Sequence, residues 1–172
     1  MNYIYYYDTI IGRVGVCDNG RAVTKIILSE NYDNRLYNLQ VTNLNALASI
    51  EINSYLKGHS HSFTFPIEII GTPFQKSVWN ELCKIPYGKT ASYKEIAEAI
   101  NFPSASRAVG KACLVNPLFL VIPCHRVIGN DGSLVGFSYG LDLKKKLLSI
   151  ESTRKFVGVW YGIFPIWWYR DN

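Results

Sequence analysis

Cys124, His125 and Arg126 stand in a row inside the segment VIPCHRVI, which spans residues 121–128. The flanking valines and isoleucines predict a buried, strand-like segment. A buried cysteine is normally a small apolar residue, and it becomes a nucleophile only in a specific electropositive setting. In such a setting, a neighbouring imidazole can take the thiol proton directly or through a water.

Two further polar residues could complete such a site. Asn116 precedes a proline, and its amide could fix a turn or hold another side chain. Glu151 ends the segment LDLKKKLLSIE, and its carboxylate could orient the His125 imidazole. This segment predicts a helix whose inward residues are Leu141, Leu143, Leu147 and Leu148. The sequence alone does not show that Glu151 reaches His125.

Composition indicates a globular chain. Its 172 residues can form one domain or two small ones, and 48% hydrophobic with 18% charged residues is an ordinary balance. The four cysteines form no C-x-x-C pair, which argues against a zinc ribbon and favours a reducing compartment. No signal-peptide pattern and no stretch of roughly 20 apolar residues are found. We therefore expect a soluble protein in the cytoplasm, or in the nucleus of a eukaryotic source.

Positive charge is concentrated in the second part of the chain. Residues 1–70 hold five Lys/Arg and six Asp/Glu, whereas residues 71–155 hold twelve Lys/Arg and six Asp/Glu. A basic domain beside a neutral one favours a polyanionic partner, most often nucleic acid. A basic surface that serves only solubility is the alternative.

The first 70 residues predict a small sheet and one helix. NYIYYYDTI, GRVGVCDNG and AVTKIILSE are short β-branched and aromatic runs separated by turn residues, which is typical of an antiparallel meander. LNALASIEINSYLKG then predicts a helix that stops at Gly58. Its apolar positions are Leu44, Leu47, Ile50, Ile52 and Leu56. HSFTFPIEI alternates like an edge strand.

After Gly71 the pattern becomes helical. TPFQKSVWNELCKI predicts a helix with Thr72 as N-cap and Pro73 at the first helical position. SYKEIAEAI predicts a short helix capped by Ser92, and SASRAVGKACL a second one capped by Ser104. Two short helices joined by a tight turn are the outline of a helix-turn-helix, which any pair of packed helices also matches.

The second of these helices surrounds one long cation with small residues. Arg107 has as neighbours Ser104, Ala105, Ser106, Ala108 and Gly110. Small residues let a backbone approach a partner closely, and a lone arginine can then enter a nucleic-acid groove as a wedge. A small-residue helix packed tightly on its neighbour is the alternative.

Several motifs together resemble the O6-alkylguanine-DNA alkyltransferases. In order over residues 71–151 they are TPFQKSVWNELCKIPYGKTASYKEIA, SRAVGKA, NP, IPCHRVI, GSLVGFSYGL and LLSIE. The resemblance implies DNA repair by irreversible transfer of an alkyl group from O6 of guanine, and also O4 of thymine, to a cysteine. It implies an α/β (α+β) fold, with an antiparallel sheet and a helix in residues 1–70. A mainly helical DNA-binding domain with a helix-turn-helix is expected in residues 71–155.

The resemblance assigns catalytic roles residue by residue. Cys124 would be the acceptor nucleophile and His125 the base, acting through a water. Glu151 would orient His125, and Asn116 would stabilise the turn around the site. Tyr93 would hydrogen-bond N3 of a guanine flipped out of the duplex and help to protonate the leaving base.

The resemblance also implies a DNA surface and a base pocket. Arg107 would fill the space that the flipped nucleotide leaves, and the other DNA contacts are expected from Ser104, Ser106, Ala108 and Tyr93. The base pocket is expected to be lined by Cys113, Val127, Phe137, Ser138 and Tyr139. The expected partner is double-stranded DNA carrying O6-alkylguanine, bound through its minor groove by a monomer. No membrane and no cofactor are expected.

The chain departs from the family pattern at the base pocket. Phe137 stands where many relatives have tyrosine, so the ring face is kept but the hydroxyl is lost, while Ser138 still offers its backbone N–H. Tyr139 stands where some relatives have glycine, which bears on pocket size. The zinc-bearing variant of the family needs more ligands than Cys17, His59 and His61 offer. We therefore expect no structural metal.

Two other classes of function compete with the alkyltransferase. A non-catalytic relative that only recognises alkylated bases is expected to lack the thiol, which this chain keeps. An unrelated cysteine hydrolase would leave the helix-turn-helix and Arg107 unexplained. Residues 156–172 hold seven aromatic residues beyond the family match. This extension could pack back on its own domain, dock on a partner or a second copy, or be a non-native appendage that stays disordered, and we expect the first.

Overall fold

The computed structural model describes residues 1–28, 33 and 35–152. Strands β1 (Tyr3–Thr9), β2 (Gly12–Asp18) and β3 (Val23–Ile27) form the predicted antiparallel meander. A short strand β4 (Asn38–Leu39) pairs in parallel with β1, so the sheet order is β3-β2-β1-β4. Two residues are too few to show a period, which is why the sequence predicts only the antiparallel part. The expected mixed fold of sheet and helices is confirmed.

Helix α1 (Asn43–Leu56) packs on this sheet. Thr42 caps it by accepting a hydrogen bond from the Asn45 backbone N–H at 3.0 Å. The predicted buried face is partly wrong, because Leu47 and Ile50 are 42% and 66% exposed. The buried positions are instead Asn45, Ala48, Ser49, Ile52, Tyr55 and Leu56. Their spacing follows the helical period more closely than the run of large apolar residues does.

The edge strand predicted in residues 61–69 does not form. The segment makes only an isolated bridge between Val23 and Ile67. Around it, the Val23 N–H donates to the Pro66 carbonyl at 2.8 Å and the Glu68 N–H donates to the Val23 carbonyl at 3.0 Å. Pro66 has no N–H to donate, so a longer ladder cannot be built through it.

The second half of the chain is mainly helical, as predicted. Its helices are α2 (Pro73–Cys83), α3 (Tyr93–Ala99), α4 (Ser106–Leu114) and α5 (Leu141–Ser152). Strands β5 (Ala91–Ser92) and β6 (Val127–Ile128) form a small parallel pair beside them. Thr72 and Ser92 cap α2 and α3 as predicted, each in a capping box with the residue three positions on.

Helix α4 begins later than the sequence suggests. Ser104 is not its cap, because Ala105 holds the cap position and no side chain caps the helix. The turn before it is set by Asn101 in a left-handed conformation with φ 61°, and by the Phe102 N–H, which donates to the Ala97 carbonyl at 2.9 Å. The Ala105 N–H then donates to the Phe102 carbonyl at 2.8 Å, so the turn extends as far as the residue that holds the cap position.

Helix α5 also turns a different face inward. Leu141 is 41% exposed, so its predicted burial is wrong, whereas Lys144 is fully buried. The inward row of α5 consists of Lys144, Leu147 and Glu151, which are spaced three and four residues apart. The run of three lysines therefore contains one buried residue, Lys144, which the sequence did not distinguish from its neighbours.

The hydrophobic core is continuous across the expected boundary near Gly71. It joins β2, β3 and α1 to α2, α3, α4 and α5 through Val16, Ile26, Ile52, Trp79, Ile96, Val109 and Leu147, among others. The division into residues 1–70 and 71–155 stays a prediction, and the extension at 156–172 lies outside the described residues. In the part of the chain that the structure describes, no helix is long and apolar enough to cross a membrane.

Candidate active site

Cys124 lies in a 3-10 turn, Cys124–Arg126, and not in a strand. The strand that the apolar run predicts is limited to β6, directly after this turn. Pro123 starts the turn, and its carbonyl accepts the Arg126 N–H at 2.9 Å. The side chains of consecutive residues in this turn therefore point in different directions. Neighbouring side chains can thus contact different parts of one site.

Asn116 holds both the turn and the thiol. Its Nδ2 donates to the Ile122 carbonyl at 2.8 Å and to the Cys124 Sγ at 3.2 Å, while its Oδ1 accepts the Leu118 N–H at 2.9 Å. The amide therefore ties the loop before Cys124 to the sulfur itself. An N–H directed at sulfur favours the thiolate.

Cys124 is nevertheless a neutral thiol before reaction. It is 5% exposed, and burial raises its pKa above the ordinary value. The Asn116 hydrogen bond and the Lys144 ammonium act in the opposite direction but do not outweigh burial. A base is therefore needed to take the proton when the sulfur attacks.

His125 has the position and the neutral tautomer that such a base requires. Its Nε2 lies 2.5 Å from Oε1 of Glu151, and both side chains are buried. An ionised carboxylate only accepts hydrogen bonds, so Nε2 carries the hydrogen and Nδ1 is left with a free lone pair. Nδ1 is buried and has no hydrogen-bond partner among the described residues. A water between Nδ1 and the Cys124 thiol would satisfy it.

The imidazole is neutral and the carboxylate is charged. Burial lowers the pKa of His125, although the hydrogen bond that His125 donates to Glu151 and the negative charge of Glu151 oppose the shift. Burial alone would raise the pKa of Glu151, but His125 and Arg126 outweigh it and lower that pKa to about 2. The counter-ion of Glu151 is therefore Arg126, whose Nε lies 2.9 Å from Oε2. A neutral His125 supplies only its hydrogen bond, and its charge adds to that of Arg126 once the imidazole has accepted a proton.

Three groups that hold Glu151 were not predicted from the sequence. They are the Arg126 guanidinium, the Gly88 N–H, which donates to Oε2 at 2.9 Å, and the Tyr55 hydroxyl, which donates to Oε1. Arg126 also donates to the Ile85 carbonyl at 2.7 Å. The only sequence feature that could have indicated this role of Arg126 is its position next to His125. No sequence feature indicates that Tyr55 or Gly88 contacts Glu151.

Lys144 is a further residue that the sequence analysis missed. Its Nζ donates to the carbonyls of Val127 at 2.5 Å and Val135 at 2.7 Å, and lies 6.0 Å from the centre of the Tyr93 ring. Burial lowers the pKa of Lys144, while Cys124 and Cys113 act to raise it. Lys144 supplies a positive charge close to the thiol. The signal that could have found it is its place on one helical face with Leu147 and Glu151.

The expected base-pocket residues come from α4, β6 and the segment before α5, and they differ in burial. Cys113 on α4 and Val127 in β6 are buried. Phe137 and Tyr139 are half-buried, and the Tyr139 ring packs edge-on against Phe119 at 4.7 Å. Ser138 is exposed, and its hydroxyl donates to the Leu114 carbonyl at 3.1 Å.

Tyr93 borders the same pocket from α3. Its hydroxyl donates to the carbonyls of Val135 at 3.2 Å and Gly136 at 3.1 Å. Burial, with Cys113 and Cys124 nearby, raises the pKa of Tyr93 to about 12. The phenol therefore keeps its proton and can donate it. To reach a bound base, the hydroxyl must exchange these two carbonyls for the ligand.

The expected DNA contacts lie at the start of α4. Arg107 is exposed, Ser106 and Ala108 flank it in the helix, and Ser104 is exposed in the preceding turn. The same helix ends near Cys113 in the pocket. One helix thus joins the basic surface to the thiol, while the roles of these residues stay predictions. Among the described residues, no group of three His, Cys, Asp or Glu side chains could hold a metal ion.

Comparison with known proteins identifies the second part of the chain most clearly. A family model described as 6-O-methylguanine DNA methyltransferase, DNA binding domain, matches residues 73–153. The inducible methylated-DNA–protein-cysteine methyltransferase of Bacillus subtilis is 52% identical over 103 residues, which are 60% of this chain. This chain spans only 58% of the length of that relative.

Other relatives match along most of the chain. A methylated-DNA–protein-cysteine methyltransferase of Mycobacterium leprae is 38% identical over 84% of this chain and 88% of its own length. The crystal structure of the Mycobacterium tuberculosis O6-methylguanine methyltransferase superposes with a TM-score of 0.84 at 36% identity, covering 92% of this chain and 97% of that one. The Mycobacterium tuberculosis OGT in complex with DNA gives a TM-score of 0.82 at 35% identity, over 87% and 92% of the two chains.

Proposed function

Since the chain belongs to the family of the methylated-DNA–protein-cysteine methyltransferases, we propose that it repairs alkylated DNA by taking the alkyl group onto Cys124. The substrate is O6-alkylguanine in double-stranded DNA, and O4-alkylthymine is accepted as a second one. The reaction is irreversible, because the thioether that forms has no bond that water readily cleaves. Each protein molecule therefore acts once.

The observation that carries this proposal is the geometry around one buried thiol. Asn116 contacts the sulfur at 3.2 Å, and the adjacent His125 is a neutral imidazole with a free Nδ1 and with Nε2 bound to Glu151. This is the arrangement of a nucleophile, a base and a group that orients the base. The enclosed thiol also suits a substrate that must be brought in as a single base, and not as a duplex.

His125, Cys124, Tyr93 and water account for every bond and proton in the proposed reaction. Nδ1 of His125 takes the thiol proton through a water, and Sγ of Cys124 attacks the alkyl carbon. The carbon–sulfur bond forms as the bond from carbon to O6 breaks, and the electron pair stays on the guanine. Tyr93 donates a proton to the leaving base and regains one from the protonated His125 through solvent.

The exposed face of α4 is proposed as the DNA surface. A monomer would place this helix in the minor groove, where its small residues permit close approach and Arg107 fills the gap left by the flipped nucleotide. Lys111, one turn further along α4, is exposed and adds positive charge. A reducing compartment such as the cytoplasm keeps Cys124 a free thiol until it reacts.

Mass spectrometry of the intact protein tests the proposal. After incubation with a duplex oligonucleotide carrying one O6-methylguanine, the protein should gain the mass of one methyl group, located on the peptide that contains Cys124. Binding without a mass change would favour a non-catalytic DNA-binding protein. Turnover of an ester or amide substrate would favour a hydrolase.

Arg107→Ala should slow repair of duplex DNA about tenfold and change reaction with free O6-methylguanine by less than about twofold. Only the duplex needs a flipped state to be held open, at a cost of a few kcal/mol. Methyl transfer rates on both substrates provide the measurement. Lys111→Ala, which removes a neighbouring exposed cation, is the control for lost charge. Equal losses on the two substrates would remove Arg107 from this role.

Tyr139→Gly should raise the rate of reaction with O6-benzylguanine at least about tenfold, while methyl transfer stays within about threefold of the parent. The Tyr139 ring occupies space beside Phe119, and its hydroxyl is held by the backbone of Leu28. Overfilling a packed site typically costs about 1–3 kcal/mol, which corresponds to roughly five- to 150-fold in rate. Loss of the free benzylated base is measured by chromatography. An unchanged benzyl rate would contradict the idea that Tyr139 limits the pocket.

A further inference from the structure

Tyr55 joins the first part of the chain to the catalytic carboxylate. It lies near the end of α1, is 1% exposed, and donates its hydroxyl hydrogen to Oε1 of Glu151. The same hydroxyl oxygen lies 3.3 Å from Nε2 of His125. Tyr55 from α1 and His125 from the turn of Cys124 therefore meet at the same carboxylate oxygen. The family match begins at residue 73, after Tyr55.

The two carboxylate oxygens are used differently. Oε2 accepts hydrogen bonds from Arg126 and the Gly88 N–H, both at 2.9 Å. Oε1 accepts the hydrogen bonds of Tyr55 and His125, with the Arg126 nitrogens further away at 3.2 Å. Arg126 and Gly88 therefore hold the other end of the carboxylate, at Oε2. The Tyr55 hydroxyl adds a donor specifically to the oxygen that His125 uses.

We propose that Tyr55 is a positioning residue that keeps His125 a neutral base, because its hydroxyl shares the Glu151 oxygen and weakens the pull of that oxygen on the imidazole. This rests on the proposed function, in which His125 must accept the Cys124 proton. A carboxylate raises the basicity of an imidazole that donates to it, and a second donor on the same oxygen reduces that effect. Without Tyr55, His125 stays protonated up to a higher pH and acts as a base only above that pH.

Several other charged and ionisable groups lie around His125. From the turn of Cys124 and from α5, the cations Arg126 and Lys144 oppose a positive imidazole, and Glu151 alone favours it. Cys83 on α2 faces Arg126, and burial raises its pKa to about 11, so it is uncharged near neutral pH. Burial also raises the pKa of Tyr55, which keeps its hydroxyl a donor throughout the working range. Tyr87, the other ionisable neighbour, packs edge-on against Tyr55 at 5.7 Å.

The ring of Tyr55 is held independently of its hydroxyl. It packs against Phe63 at 5.1 Å as well as against Tyr87. Tyr55→Phe therefore removes the donor and keeps the packing. Tyr87→Phe is the matched control, since it removes a neighbouring hydroxyl that donates to the Ile150 carbonyl at 3.4 Å.

The first test measures His125 directly. The C–H signals of the three histidines are followed by NMR against pH, with His125→Gln used for assignment. In Tyr55→Phe the titration midpoint of His125 should rise by about one pH unit, the size expected for losing one hydrogen bond to a charged group. Tyr87→Phe should leave it unchanged. A midpoint that does not move, or stays below acid unfolding in both parent and variant, overturns the proposal.

The second test is the pH dependence of methyl transfer from an O6-methylguanine duplex. The acid limb of the rate profile should move upward with the His125 midpoint, so that Tyr55→Phe is about tenfold slower on that limb and within about twofold of the parent on the plateau. An equal loss at every pH would mean a structural role only and would overturn the proposal. If the parent accepts no methyl group, the proposed function fails, while the NMR titration still decides the effect of Tyr55 on His125.

Discussion

Cys124→Ser should abolish methyl transfer and leave binding to duplex DNA within about threefold of the parent. A serine hydroxyl at this position is far less acidic than the thiol and a poorer nucleophile toward an alkyl carbon. The proposed DNA contacts lie at the exposed start of α4, and only the sulfur is consumed. Transfer is measured by mass spectrometry, and binding by fluorescence anisotropy with an O6-methylguanine duplex.

The matched control is Cys17→Ala, which removes another buried free thiol, on β2. It should keep both transfer and binding. If Cys124→Ser lost DNA binding altogether, Cys124 would be a structural residue and the assigned roles would be wrong. The complex of the serine variant with alkylated DNA should be suitable for study, because no alkyl transfer converts the bound substrate into product.

Glu151→Gln should lower the free energy of unfolding at pH 7 by about 3 kcal/mol and slow methyl transfer about a hundredfold. Removing one partner of a buried ion pair leaves Arg126, which is 7% exposed, without its counter-ion. The amide also takes away the negative charge that supports His125 when it accepts a proton, and a positioned base contributes at least a hundredfold. Urea unfolding and single-turnover transfer give the two values.

The stability that Glu151 provides should disappear in acid. Its pKa is about 2 in the folded protein and near 4.5 in the unfolded chain. A group with a lowered folded pKa stabilises above the unfolded pKa, and its contribution is lost as pH falls through the folded value. The difference between parent and Glu151→Gln should therefore be full above about pH 5 and should shrink steadily toward pH 2. A difference that is constant with pH would mean that the charge is not its cause.

An exposed glutamate provides the control for this variant. Glu98 pairs with Lys94 along α3 at 3.8 Å, and both side chains are at least half exposed. Glu98→Gln should change the free energy of unfolding by no more than about 0.5 kcal/mol, because exposed ion pairs contribute little. It should leave the transfer rate unchanged.

Local sequence patterns determined the three strands of the meander and the starts of two helices. The β-branched and aromatic runs predict strands β1 to β3, and Thr72 and Ser92 predict the starts of α2 and α3, because alternation and N-caps act through neighbours in the chain. The residues Cys124 and His125 could be selected from their types and their adjacency. The motifs over residues 71–151 were sufficient to predict the family, which the comparisons confirm.

Only the tertiary structure decided how the site is completed. Glu151 meets His125 across 26 residues and Tyr55 meets Glu151 across 96, and no local pattern encodes a contact at such separations. Lys144 looks like one of three solvent-exposed lysines, and only the packing of α5 shows that it is buried against the carbonyls of Val127 and Val135. Charge state follows burial and partners, so the neutral thiol, the neutral imidazole and the charged carboxylate are properties of the fold and not of the residue types.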